Sequence, residues 1–228
     1  MVQHQQKEIS LCYLCGTALS GEIDRDHVPM KQLYGKEFRK ISNPNLFCLP
    51  THAKCNREYQ SDEDYFVYSL VPAARCKQTG KYVSFDVEER AKKDQQKPLI
   101  AKVLGQFEGA FRDPSQGVTY VPLNNDRIFR VIWKIARGLY FKETGQHINQ
   151  SVDKVIKIYT EDDTLPEPIK NAIQVLPGKG DYSAVFDYRY IVVDHAHCFF
   201  MSLWDSYTFK VIFHLGDCPC GQCRKLKT

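Results

Sequence analysis

Apolar residues recur along this chain with two periods, and the change of period divides it. From Leu99 to Phe111 the positions Ile100, Val103, Leu104, Phe107 and Phe111 keep helical spacing. A clearer helix starts near Asp126, carries Ile128, Val131, Ile132, Ile135, Leu139 and Tyr140 on one face, and ends near Gly145. Between Tyr182 and Leu215 the pattern shifts to alternating and continuous apolar runs: Val185 to Val193, Cys198 to Trp204, and Phe209 to Phe213. Polar turns at Asp194-His195 and Asp205-Ser206 separate the runs, which predicts an antiparallel β-meander packed on the central helices.

The first seventy residues predict shorter elements. Residues 9 to 19 read as a strand entering a tight knuckle released by Gly16, and residues 22 to 29 as a strand ending at Pro29. Leu33, Tyr34 and Phe38 mark a short helix or an irregular loop. After a turn at Ser42-Asn43-Pro44-Asn45, Leu46 to Leu49 form a strand halted by Pro50, and Thr51 caps a helix running through Asn56 toward Tyr68. Pro72, Gly80 and the charged stretch from Glu88 to Lys97 mark a connecting segment with an exposed helix near Asp86 to Lys93. The expected class is α+β, with units at 1–71, 72–98 (connecting segment) and 99–228 (helices and meander).

With 228 residues, 43% of them hydrophobic, the chain is long enough for one large or two small cores. No apolar run approaches the ~18 residues that span a bilayer. The N-terminus lacks the apolar stretch of a secretory signal, so the expected location is cytoplasmic, without a membrane partner. In that reducing setting nine cysteines indicate metal ligation or free thiols rather than disulfides. A net charge of +4 permits a nucleic-acid partner without requiring one. The distribution says more: Lys31, Lys36, Arg39, Lys40, Lys54 and Arg57 gather around the residues considered next, while Glu161, Asp162, Asp163 and Glu167 lie far downstream.

Cys12-x2-Cys15 and His52-x2-Cys55 supply four groups at spacings that close a tetrahedral zinc site. Asp26, His27, Asn45 and Asn56 are left over for a second, open site suited to cutting phosphodiesters. Taken singly, Asp26-His27 is an ordinary surface dipeptide and Asn45 an ordinary turn residue. Zinc alone would mark a binding module. Cys48, in a strand among Leu46, Phe47 and Leu49, reads as a core thiol, or as a competitor of His52 for the fourth ligand place at a less favourable spacing from Cys55. His214-x3-Cys218-x-Cys220-x2-Cys223 has the donors for a second zinc, or is a set of free thiols in a basic tail. His195 and His197 read as exposed turn residues.

The set Cys12, Cys15, Asp26, His27, Asn45, His52, Cys55 and Asn56 resembles the HNH endonuclease family of the zinc-containing ββα-metal type, over residues 8 to 66. Asp26-His27-Val28-Pro29 and the run from Leu49 to Asn56 look like a bacterial subgroup in which cysteine usually stands at the place of His52. The stretch from Trp133 to Phe141 and the aromatic sheet look like regions that accompany the unit there.

The resemblance implies a ββα-metal unit in which Asp26 and Asn56 hold Mg2+ or Mn2+. It also implies that His27 is the general base and that Asn45 orients its imidazole. The implied activity is hydrolysis of DNA with little sequence specificity. Because strand alternation turns Asp26 and His27 apart, a twist or bulge is expected at the strand end. Asp62, Glu63 and Asp64 are expected outside the metal shell, one of them holding backbone or a basic side chain. The C-terminal unit would position substrate, a protein partner or a second copy. The alternative is a non-catalytic zinc-dependent adaptor for nucleic acid or protein.

Overall fold

A tight knuckle comes first. Leu11 bridges Ala18, the Cys12 N–H donates to Thr17 O (2.9 Å) and the Gly16 N–H to Cys12 O (2.8 Å). Gly16 has φ +75°, and a Cβ there would lie 2.6 Å from His147 Nδ1, so turn and packing both require glycine. In this computed structural model residues 11–74, 78–113, 118–160 and 163–215 are described. They form a mixed α/β fold with six α-helices, a five-stranded antiparallel sheet and two two-stranded ribbons.

Strand β1 (Ile23–His27) pairs antiparallel with β2 (Cys48–His52), from Ile23 opposite His52 to His27 opposite Cys48. Between them lie a 3-10 turn (Lys31–Tyr34) and helix α1 (Lys36–Ser42). Pro50 does not halt β2. The bonds from Val28 N–H to Phe47 O and from Ala53 N–H to Glu22 O fix the ladder's phase, and counting by twos puts Pro50 in a pair that exchanges no hydrogen bond. Thr51 is no helix cap either: it is buried in β2, its hydroxyl 3.0 Å from Cys12 Sγ.

Helix α2 (Ala53–Ala74) continues two residues past Pro72. Tyr68, Val71 and Ala74 are all buried there, so packing overrides the proline's local preference. The expected connecting segment is mostly helical, in α3 (Gln78–Ala91) and the start of α4 (Lys97–Glu108); the ribbon β3 (Phe111–Asp113) and β4 (Val118–Tyr120) follows. One apolar cluster runs from Tyr13 of the knuckle through Phe66 of α2 and Val83 of α3 to Phe213 of the sheet, so the three sequence units share a core.

Helix α5 (Asn125–Thr144) lies between the β1–β2 hairpin and the sheet. The Asn124 side chain caps it by accepting from the Arg127 N–H (3.2 Å), and Gly145 ends it in the left-handed conformation. A Cβ on Gly138 would come within 2.7 Å of both Val28 methyls, so glycine lets α5 press directly on the hairpin. The main sheet takes the order β5 (Lys154–Thr160), β9 (Tyr207–His214), β8 (Ala196–Leu203), β7 (Phe186–Val193), β6 (Lys179–Tyr182). Phe213 meets Trp133 and Tyr140 of α5 edge-on, while Cys198 and Phe200 turn the other way onto Ile169 of α6 (Glu167–Val175).

The meander matches expectation, but β5 and α6 add to it. The second turn takes in Trp204, which is buried at φ +53° and donates from Nε1 to Leu33 O (2.9 Å), anchoring the sheet beside the hairpin. His195 is an exposed turn residue. His197 is not: it is half-buried, stacked on Tyr190 and Phe213, with Nδ1 2.7 Å from the Tyr190 hydroxyl. Among the described residues no helix is long and apolar enough to cross a membrane.

Candidate functional site

The knuckle brings Cys12 and Cys15 to the point where β2 passes into α2, and that junction carries His52 and Cys55. All four ligand atoms lie within 4.8 Å of one another. Cys15 Sγ is 3.4 Å and Cys55 Sγ 3.9 Å from His52 Nδ1. Tetrahedral zinc with three thiolates and an imidazole sets its donors about 3.5–3.8 Å apart, so the set lies close enough to hold zinc after a small contraction. His52 Nε2 lies 3.1 Å from Ala18 O and 3.3 Å from Ser20 N, so backbone groups orient the ring with Nδ1 turned toward the thiols.

The thiols respond to each other's charge. Burial pushes Cys12 up, but the Thr51 hydroxyl and the amides of His52, Cys15 and Leu14 outweigh it and bring the thiol down to about 6. Burial and the neighbouring Cys12 push Cys55 up to about 12. Such a set takes up its full negative charge only around a cation. Cys48 stays outside, its thiol donating to Leu46 O (3.4 Å). Of the second candidate cluster only His214 is described; Cys218, Cys220 and Cys223 lie outside the described residues.

Asn56 directly follows Cys55, and its side chain looks into the other half of the site. Its Nδ2 donates to Asp24 Oδ2 (2.9 Å), and its Oδ1 accepts from Lys134 Nζ (3.1 Å). The same ammonium is 2.8 Å from Asp26 Oδ2 and 2.5 Å from Glu63 Oε1. Asp26 also accepts from the Tyr13 hydroxyl. Lys134 is 2% exposed and Asp26 4%. Burial alone would push Lys134 toward neutrality; the carboxylates of Asp26 and Glu63 outweigh it and hold the ammonium above its ordinary value. Burial raises Glu63 despite Lys134.

The ligands expected for Mg2+ or Mn2+, Asp26 and Asn56, are therefore brought together, but around an ammonium. A small divalent ion needs oxygens at about 2.1 Å on several sides. The centre of this set is already filled, so the residues as folded do not fit a divalent ion.

Lys134 does not act alone. Arg127, Arg130, Lys134 and Arg137 fall at i, i+3, i+7 and i+10 along α5, one continuous stripe. Arg127 (2.6 Å) and Arg130 (2.5 Å) grip Asp62, and Arg127 also donates to Ser61 O (2.7 Å). The buried Arg137 donates to Ile148 O (3.0 Å) and to Leu14 O in the knuckle. Asp64 faces Arg90 at 3.6 Å. Asp62, Glu63 and Asp64 thus each hold a basic side chain, where one was expected to.

In front of this cluster opens a pocket of about 350 Å3, lined by Asp24, Asp26, His27, Asn56 and Glu63 and edged by Arg25, Lys31, Arg57 and Arg90. Asp26 and His27 border it together with no bulge, because the β1–β2 register is unbroken. Burial and the charges of Lys31, Arg39 and Arg25 hold the His27 imidazole below its usual value against Asp26, leaving it neutral near pH 7. Asn45 does not orient it: the ladder's last bond is at Phe47, Asn45 is exposed, and no hydrogen bond joins it to His27. Of the expected basic residues Lys31 and Arg57 reach the pocket. Arg57 pairs with Glu22 (2.5 Å), and Lys40 pairs with Glu37 (2.7 Å) on α1.

Sequence reasoning missed Asp24, Glu63 as a first partner, and Lys134. Asp24 had a signal, since it shares a strand face with Asp26. So had Lys134: with Arg137 it interrupts an otherwise apolar run from Val131 to Phe141 that is buried throughout. Comparison with protein-family models, with curated proteins and with solved structures returns no match for the chain.

Proposed function

We propose that the chain is a zinc-stapled endonuclease of the HNH type that hydrolyses phosphodiester bonds in DNA, with His27 as general base. One observation carries the reading: Asp26, His27 and Asn56 border a single open pocket edged by Arg25, Lys31, Arg57 and Arg90, next to a Cys3His cluster. A backbone phosphate entering that pocket meets cations on its rim, so binding weakens as salt rises. The neutral imidazole of His27 takes a proton from water as the water oxygen attacks phosphorus. The bond to the leaving oxygen then breaks, and that oxygen is protonated from solvent.

A second reading has its own support. The ammonium of Lys134 sits where the oxygen ligands converge, which suits a non-catalytic, zinc-dependent adaptor for nucleic acid or protein. Plasmid nicking separates the two. Zinc-loaded wild-type and His27→Ala proteins are incubated with supercoiled DNA, with Mg2+, with Mn2+ and with neither. Nicking by wild type that His27→Ala loses supports the nuclease. Equal nicking by both removes His27 as base, and binding without nicking under every condition establishes the adaptor.

A further inference from the structure

We propose that Lys134 is a resident cation: its ammonium, carried in on α5, occupies a divalent-ion position among Asp26, Glu63 and Asn56, and removing it uncovers that position to metal. The inference stands on the ion cluster and holds whether or not the chain cuts nucleic acid.

An ordinary buried ion pair joins one carboxylate to one cation. Here three oxygens from three places in the chain converge on a single nitrogen: Asp26 Oδ2 from β1, Asn56 Oδ1 from the first turn of α2 and Glu63 Oε1 two turns later. The neutral amide is aimed as deliberately as the acids. Asp24 accepts from Asn56 Nδ2, which leaves the amide oxygen facing the cation. Tyr13 satisfies the remaining demand on Asp26 Oδ2. Oxygen donors of mixed charge around one point are the set that binds hard divalent ions, and two carboxylates against one ammonium leave a negative charge to be met.

Geometry also argues that the ammonium stays. On the turn before it Arg130 is bound to Asp62, and on the turn after it Arg137 is bound to Leu14 O and Ile148 O. Gly138 seats the helix against Val28. The side chain is therefore delivered by a helix clamped on both sides. Asp26, Glu63 and Asn56 all line the open pocket, so an ion has a way in once the ammonium is gone.

The test is Mn2+ binding to the full-length, zinc-loaded protein, read as loss of the free Mn2+ signal in electron paramagnetic resonance. Wild type is expected to bind no Mn2+ at this site, Lys134→Ala to bind one per chain, and Lys134→Ala with Asp26→Asn to lose it again. If Lys134→Ala does not fold, Lys134→Ala with Glu63→Gln removes one charge of each sign and is expected to bind Mn2+ through Asp26, Asn56 and the new amide oxygen. Mn2+ held by wild type and lost in Asp26→Asn overturns the proposal, as does a folded protein lacking Lys134 that takes no Mn2+.

Discussion

Cys55 and Asn56 are consecutive, yet they serve two cation sites of opposite construction. The Cys55 side gathers three thiols and an imidazole with no positive side chain among them; hydrogen bonds from Thr51 and backbone amides lower Cys12, while burial and the Cys12 charge raise Cys55. The Asn56 side gathers an amide and two carboxylates around a lysine from 78 residues away. The first set has the donors for an ion from outside and no cation of its own. The second is satisfied from within the chain. The difference shows that ligand identity alone does not define a metal site: whatever else the fold delivers to the centre decides it.

The largest effect follows from that contrast. A structural zinc in a small unit carries an apparent binding free energy of about 10–16 kcal/mol, most of it coupled to folding. Stripping the metal with a strong chelator, or Cys12→Ala, is expected to abolish the cooperative melting of the knuckle and hairpin. Elemental analysis should find one zinc per chain before treatment. A metal-free preparation that melts unchanged in chelator would sink the soft site.

Breaking the hard site should cost less. Lys134→Ala strands Asp26 and Glu63 as buried carboxylates without a counter-ion, a loss of about 3–5 kcal/mol. Denaturant unfolding measures it, and adding Asp26→Asn to the same variant should recover part of the loss. A Lys134→Ala protein as stable as wild type would mean that the ammonium is not held as the distances indicate.

These two sites differ just as much in how far the sequence disclosed them. The four soft donors sit in two pairs, each with two intervening residues, so a local turn aims each pair, and the pairs were legible before the fold that brings them together. Asp26 and Asn56 were legible by position relative to those ligands. Lys134 stood out only as a charge inside the apolar run from Val131 to Phe141; its partners were not legible, because they depend on α5 docking across the β1–β2 pair. The basic residues from Arg127 to Arg137 drew no reading from the sequence, and the fold clamps them onto α2 and the knuckle. Pro50 and Pro72 misled for a related reason: the local penalty was real, but ladder phase in one place and burial in the other made it tolerable. The β7–β9 meander was plain from its runs of apolar residues, whereas β5, half-exposed along its length, lacked that contrast.

Between the structural cations and the rim lies His27, which touches neither site's centre. His27→Ala is expected to lower the nicking rate by about 10²- to 10⁴-fold, the range for loss of a positioned general base. The ring is only half-buried, so unfolding should shift by about 1 kcal/mol or less. Large effects on both would reassign His27 to packing.

The smallest effect draws the sharpest line between cations that hold the fold and cations that meet a ligand. Arg57 stands on the pocket rim and pairs with Glu22, both side chains more than half exposed. A pair this open to water contributes about 0–1 kcal/mol, so Arg57→Ala should leave unfolding nearly unchanged. If the rim meets backbone phosphates, the same substitution removes about one released counterion. The slope of log binding constant against log salt, from fluorescence anisotropy on a short duplex, should then flatten by about one. Arg130→Ala gives the opposite profile: weakened folding through Asp62, with the salt slope intact. Should the two variants change the slope equally, the rim has no special claim on DNA, and the charge that attracts nucleic acid is spread over the whole surface.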